Sequence, residues 1–264
     1  MKNFGIFLIV AFLFAIWIFG LFTDSTAEFA ENDLYDEILS RGKIRIGINT
    51  SSKPFGFYDN SGKPAGYDVD LAHYITQYLL KNPDLMEIVP VTPSNRLMMA
   101  SAKDVDIVIS SITITPQRQE IVDFSIPYDV AGQAILVNKT SRITSLSDLG
   151  GQTVGVIFGT TSEKNMAKMV PTANLRGFKT YDDAYYALKN GQINAITSDD
   201  SILKRYSIDD NNVVLLSKRY SKEPYGIAFK KGATTKKLKE NIDFAIKDMK
   251  QKGVLTRLHK KWNL

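Results

Sequence analysis

Strand signals alternate with helix signals twice along this chain, over residues 40–130 and again over 140–220, and this doubled alternation limits the fold more than any other feature. In the first group, residues 43–48 alternate polar and apolar as a half-buried strand does, and 87–91 and 105–109 read as further strands. Helices are expected over 34–39, from Asp68 onward on a buried stripe of Leu71, Ile75 and Leu79, and over 94–102. The second group repeats the pattern with strands at 154–157, 195–197 and 213–216, a helix opening at Gly159-Thr160-Thr161-Ser162, and another helix over 181–190. Such alternation belongs to parallel-rich sheets covered by helices on both faces, the α/β class. Two extended runs, 134–137 and 226–229, fall at the joins between the groups. Extended segments running between two α/β lobes make a hinge with a cleft between them. The lobes are expected at 31–132 plus 226–264, and at 133–225.

The length of 264 residues suffices for two such lobes. With 44% hydrophobic and 23% charged residues, each lobe has the material for a core. Cysteine is absent, which excludes disulfides, thiolate metal sites and thiol catalysis. The two histidines, His73 and His259, cannot build a histidine-rich metal site and read as incidental positions on helices. The net charge of +5 gathers after Lys230, but Leu238, Ile242, Ile246 and Met249 recur there at helical spacing. The lysines therefore occupy the solvated face of a helix. No nucleic-acid motif accompanies them, so nucleic acid is not an expected partner.

Residues 4–22 form an uncharged apolar run preceded by Lys2 and followed by Ser25-Thr26-Ala27, the layout of a secretory signal with its cleavage site. The run is also near the minimum for a membrane span, so an uncleaved anchor is the alternative. Either reading places the remainder outside the cytoplasm, periplasmic or otherwise extracytoplasmic, and sets residues 1–30 apart from the fold.

The candidate site lies at Ser110-Ser111-Ile112-Thr113-Ile114-Thr115-Pro116-Gln117-Arg118, at the carboxyl end of a strand signal. Open α/β sheets bind ligands there. Hydroxyls with one arginine nearby suit a small anion, because the planar guanidinium grips a carboxylate with two parallel hydrogen bonds. The alternative is a strand, a turn and a surface arginine. Thr160 and Thr161 open a helix whose free N–H groups offer a second anion site, or an ordinary cap. Residues 49–66 read as a loop rich in Ser, Pro and Gly that carries Phe55, Phe57 and Tyr58. Asp68 and Asp70, at a helix start, are expected as caps rather than catalytic acids.

Several stretches together carry a resemblance: Pro54-Phe55-Gly56-Phe57, Gly66-Tyr67-Asp68-Val69-Asp70-Leu71, Thr113-Ile114-Thr115-Pro116-Gln117-Arg118, Val122-Asp123-Phe124-Ser125-Ile126-Pro127-Tyr128 and Tyr225-Gly226-Ile227-Ala228. The chain resembles, over nearly all of 40–264, the bacterial extracellular solute-binding proteins that deliver polar amino acids to ABC transporters. The resemblance implies a two-lobed periplasmic-binding-protein (Venus flytrap) fold with two crossing hinge strands. It implies a monomer without cofactor or catalytic residue, handing its ligand to an inner-membrane permease. It also implies roles. Arg118 holds the ligand α-carboxylate with Thr113 and the backbone of Thr161. Asp199, with Thr113 and the backbone of Ser111, takes the α-ammonium.

Some positions depart from the pattern. Ser52 stands where relatives place an aromatic over the ligand side chain, and Pro93 where some carry a second, leaving Phe55, Phe57 or Tyr58 as substitutes. Asn49 stands near where binders of cationic amino acids carry an acid. With Arg96 in Ser94-Asn95-Arg96, this favours glutamate or aspartate, then glutamine; the alternative for Arg96 is a structural arginine at a helix start. Two other functions compete. One is an enzyme like the cyclohexadienyl dehydratases that share the scaffold, with Asp199 or Glu163 as its acid. The other is a membrane-anchored amino-acid sensor module.

Overall fold

The apolar run at residues 107–113 becomes the centre of the first of two sheets, buried at all seven positions. The structure is a computed structural model, and it describes residues 32–264. The expected signal or anchor at 4–22, with its cleavage site, lies outside the described residues.

In chain order the elements are α1 (Leu34–Arg41), β1 (Ile44–Ile48), β2 (Ser51–Ser52), β3 (Gly56–Tyr58), β4 (Pro64–Ala65), α2 (Tyr67–Leu80), β5 (Met86–Pro90) and α3 (Arg96–Ser101). Then come β6 (Ile107–Thr113), α4 (Pro116–Gln119), β7 (Val122–Phe124), β8 (Asp129–Ala131) and β9 (Gln133–Asn138). A 3-10 turn (Leu146–Leu149) leads to β10 (Thr153–Ile157), α5 (Thr161–Met169), β11 (Asn174–Phe178), α6 (Tyr181–Lys189), β12 (Ala195–Asp199), α7 (Asp200–Asp209) and β13 (Val213–Leu215). The chain closes with β14 (Glu223–Lys230), α8 (Lys236–Gln251) and α9 (Val254–Trp262).

The first sheet runs β5-β1-β6-β14-β7, with β8 also paired to β14. Its first three strands are parallel, and β14 returns antiparallel with Tyr225 opposite Thr113. The second sheet runs β11-β10-β12-β9-β13, with β10, β11 and β12 parallel and β9 antiparallel, so that Gln133 lies opposite Asp199. Each sheet is the centre of one lobe. The chain crosses between the sheets twice, from Ala131 to Gln133 and from Leu215 to Glu223. The crossings run side by side: the Tyr220 N–H donates to the Gln133 carbonyl (2.9 Å), and the Gln133 N–H donates to the Ser221 hydroxyl (3.0 Å). The return strand begins at Glu223, three residues before the apolar run that marked it in the sequence.

Burial follows the expected periods. Leu238, Ile242, Ile246 and Met249 of α8 are all buried, and its lysines face outward or lie at its ends. Among the described residues, no helix is long and apolar enough to cross a membrane.

Four expectations change. Residues 49–66 are not wholly loop, since β2, β3 and β4 form a small antiparallel sheet within them. Strand β6 continues through the serines to Thr113, so the candidate stretch is itself strand until Thr115 caps α4 by accepting from the Arg118 N–H (3.2 Å). Asp68 caps nothing: Gly66 is the N-cap of α2 without a side-chain bond, and Asp68 points inward, buried. Asp70 accepts from Lys261 Nζ and Trp262 Nε1, at 2.7 Å each. His259 is not incidental, because its Nε2 lies 3.0 Å from Asp129, which holds its pKa above the usual range.

Candidate ligand-binding cleft

The end of β6 and the short helix α4 deliver Arg118 to the space between the sheets. Pro116 at the first turn and the Thr115 cap fix this helix, whose four residues carry too few internal bonds to hold it alone. Arg118 is 8% exposed. Its Nη1 donates to the Thr113 carbonyl (2.8 Å) and its Nη2 to the Gly159 carbonyl in the other lobe (3.1 Å). Burial first, and then the charge of Arg96, pull its pKa down to about 10, while Asp199 and Glu223 act the other way. The guanidinium therefore stays charged at neutral pH.

The facing lobe brings the start of α5. Thr160 is its N-cap, donating to the Ile157 carbonyl (2.7 Å) and accepting from the Glu163 N–H (3.3 Å). The hydroxyls of Thr113 and Thr161 lie 3.4 Å apart across the cleft. At the rim the lobes meet backbone to backbone. Gly159, at φ +80°, sits where an added Cβ would lie 2.6 Å from the Pro93 carbonyl oxygen, and Ser94 Oγ reaches the Phe158 carbonyl (3.4 Å).

Asp199 ends β12 and occupies the N-cap position of α7 without making a cap bond. Its Oδ2 accepts from the Tyr225 hydroxyl, and its Oδ1 is buried with no partner among the described residues. Burial pushes the carboxyl up to about 7, with Tyr225 and Arg96 favouring the charged form and Glu223 opposing it. A buried acceptor without a partner is the opening that a ligand's N–H donors would fill.

Arg96 opens α3, 5% exposed, and its Nη1 donates to the Ser110 carbonyl. Its Nε is buried and unpartnered among the described residues. Burial lowers its pKa; Tyr181 and Asp199 counter this, which sets Arg96 among the cleft's polar groups rather than at the surface. Tyr181, the first residue of α6, is buried, and its phenol is pushed up to about 12 by burial and then by Asp199. Asn49 is buried, and its Oδ1 accepts from the Ser51 N–H (3.0 Å). Ser52 is buried with its hydroxyl unpartnered among the described residues.

The structure thus joins Arg118, Thr113, Thr161 and Asp199 through hydrogen bonds and shared electrostatics, and sets Arg96 beside them. Phe57 stands apart, since its ring packs edge-on to Trp262 (5.7 Å) beneath Lys53. Phe55 is core between Tyr67 and Tyr225, and Tyr58 is half exposed. Of the buried aromatics, Tyr225 bonds Asp199 directly, and Tyr181 shares its electrostatics with both Asp199 and Arg96.

Sequence reasoning missed the hinge network. Glu223 is a buried carboxylate on the return strand. It accepts from Thr161 Oγ1 (2.9 Å), Asn165 Nδ2 (3.3 Å) and Ser221 Oγ (2.5 Å). Asn165 also donates to Gln133 Oε1 (3.0 Å), whose Nε2 reaches Thr197 (2.8 Å). Both crossings are thereby tied to the α5 start that faces Arg118. A lone acid just ahead of Pro224-Tyr225-Gly226 was the only local signal for Glu223. Tyr181 gave none.

Chemically, the cleft offers two buried guanidiniums, a carboxylate with an open oxygen, and hydroxyls on both lobes. That is a set for bridging a zwitterion. The model of the bacterial extracellular solute-binding proteins, family 3, matches residues 44–264. The chain is 36% identical over 235 residues to the ABC transporter glutamine-binding protein GlnH of Bacillus subtilis (strain 168), covering 88% of this chain and 85% of that one. It is 29% identical over 254 residues to the glutamate/aspartate import solute-binding protein of Escherichia coli (strain K12), covering 92% and 83%. Among solved structures it is similar to the ancestral amino acid-binding protein AncCDT-1, a precursor of cyclohexadienyl dehydratase. That match has a TM-score of 0.80 and 35% identity, covering 86% of this chain and 98% of the other.

Proposed function

The chain belongs to the bacterial extracellular solute-binding proteins of family 3, and from that premise we propose that it captures an amino acid with an acidic side chain, glutamate or aspartate, by closing its lobes. The supporting observation is Arg96, a second buried guanidinium beyond the one needed for an α-carboxylate, with an N–H left open. In this reading Arg118 and the α5 start hold the α-carboxylate. Asp199 Oδ1 and the Ser111 backbone hold the ammonium, and Arg96 with Tyr181 meets the side-chain carboxylate. Because Arg118 and Asp199 come from different lobes, a ligand bridging them favours the closed state, and its differential affinity sets how far closure shifts. The loaded carrier hands its ligand to an ABC permease and catalyses nothing.

Glutamine is the second reading, favoured by the higher identity to a glutamine-binding relative than to the glutamate/aspartate one. Its side-chain amide oxygen would accept from Arg96 in place of a carboxylate. A thermal-shift panel of the twenty amino acids separates the two. A ligand at a hundredfold excess over its dissociation constant adds about 2.7 kcal/mol of stability. The largest shift is expected with glutamate or aspartate; a larger one with glutamine discards the acidic pocket. The dehydratase alternative predicts turnover of prephenate or arogenate, and none is expected.

Arg96→Ala gives a further check. It should weaken glutamate by about 2 kcal/mol while weakening alanine, which lacks the side-chain carboxylate, far less. Equal loss for both amino acids, by calorimetric titration, would make Arg96 structural.

A further inference from the structure

Among the described residues, Ser111 is the one non-glycine residue with positive φ (+46°) inside a strand; the others, Lys81, Lys103 and Asn263, lie outside the strands. It sits in a bulge. Along β6 and β14, Ile112 pairs with Gly226 and Val108 with Ala228, so three residues of β6 face Ile227 alone. Ile227 is itself taken by Ser125, through the Ser125 N–H to its carbonyl and its own N–H to Ser125 Oγ, at 2.9 Å each. The bulged residues are therefore released from the ladder, and the Ser110 carbonyl goes to Arg96.

One acid claims both polar handles of Ser111. Asp68 is 1% exposed; its Oδ2 accepts from Ser111 Oγ (3.3 Å) and its Oδ1 from the Tyr128 hydroxyl (3.0 Å). That hydroxyl accepts from the Ser111 N–H (3.1 Å). With its N–H and hydroxyl both turned to Asp68 and Tyr128, Ser111 keeps only its carbonyl for the cleft.

We propose that Asp68 is a positioning residue: through Tyr128 and the Ser111 hydroxyl it holds Ser111 in the left-handed bulge, so that the Ser111 carbonyl is aimed at the ligand's ammonium. The inference rests on the amino-acid reading of the cleft for its effect on affinity, but not for its effect on the backbone. Asp68 touches no ligand; it acts through a residue that does.

The test is a rescue. Asp68→Ala should bind the panel's best amino acid roughly tenfold more weakly, the scale set by the cost of a left-handed L-residue. Ser111→Gly serves as the reference background, because glycine takes that conformation without the hold from Asp68. The double variant Asp68→Ala/Ser111→Gly should recover most of the loss, which a generally damaged fold would not. Tyr128→Phe should copy Asp68→Ala and be rescued in the same way, and it serves if Asp68→Ala fails to fold. Wild-type affinity in Asp68→Ala, or no rescue by glycine in either background, overturns the proposal. Amide exchange of residues 109–112, read without ligand, separates the two hypotheses. If wild type takes up no amino acid, the carrier reading fails; faster exchange in the single variants than in wild type still supports the hold on Ser111, and unchanged exchange rejects it.

Discussion

Arg118→Ala should bind no amino acid at concentrations that saturate the wild type, while keeping its fold. The loss removes a charge-assisted, two-pronged contact and leaves a ligand carboxylate buried without its cation, at a cost of about 3 kcal/mol or more. That is a factor above a hundred in the dissociation constant. Stability should fall little, because Arg118 is itself strained by burial and by the like charge of Arg96. Arg118→Lys should recover only part of the affinity, since an ammonium cannot present two parallel donors. Calorimetric titration decides: an affinity within threefold of wild type in Arg118→Ala would transfer the carboxylate to Arg96.

The second large effect is on pH. Burial holds the Asp199 carboxyl at about 7, and the groups facing it are Tyr225, Glu223, Arg96 and Asp200. A ligand ammonium needs the charged form, so affinity should rise with pH through about 7. At pH 5, two units below, it should be roughly a hundredfold weaker than at pH 8. Asp199→Asn should bind weakly and lose that dependence. The stability of the unliganded protein runs in the opposite sense. A carboxyl whose pKa is raised in the fold takes up protons more readily folded than unfolded, so its contribution is greatest at low pH. That contribution is lost as pH rises from about 4, the unfolded value, through about 7. Asp68, also pushed up to about 7 by burial, adds a fall of the same sign. Chemical denaturation at pH 5 and pH 8 should therefore show a smaller pH-dependent loss in Asp199→Asn than in wild type, with the part due to Asp68 remaining. An unchanged slope would mean that Asp199 is ionised throughout.

Much of the fold was legible because its signals are local. The strand at 44–48 announces itself by alternation, the first part of β6 and β10 by apolar runs at 105–109 and 154–157, and α8 by its four-residue stripe. Short strands such as β7 and β8 gave no signal, since three residues carry no period and exist only because β14 offers them partners. The site divided in the same way. Arg118 was legible from the Thr-Pro turn that ends its strand. Asp199 became legible only through the resemblance, as one of two adjacent acids; that it makes no cap bond is a fact of the folded chain. Asp68 was misread because an acid at a helix start is usually a cap, and what turns it inward is Tyr128, sixty residues away in sequence. Phe57 was credited to the cleft on aromaticity alone, whereas Trp262, near the far end of the chain, takes it up.

At the cleft rim, Gly159 stands against Pro93 with room for no side chain between them. Where the jaws stop is thus decided by main chain, and in the proposed reading what they enclose is decided by side chains such as Arg96 and Tyr181. These two properties can be inherited separately. A lineage can exchange the enclosed side chains, and with them the nutrient it collects, while the depth of the bite stays the same.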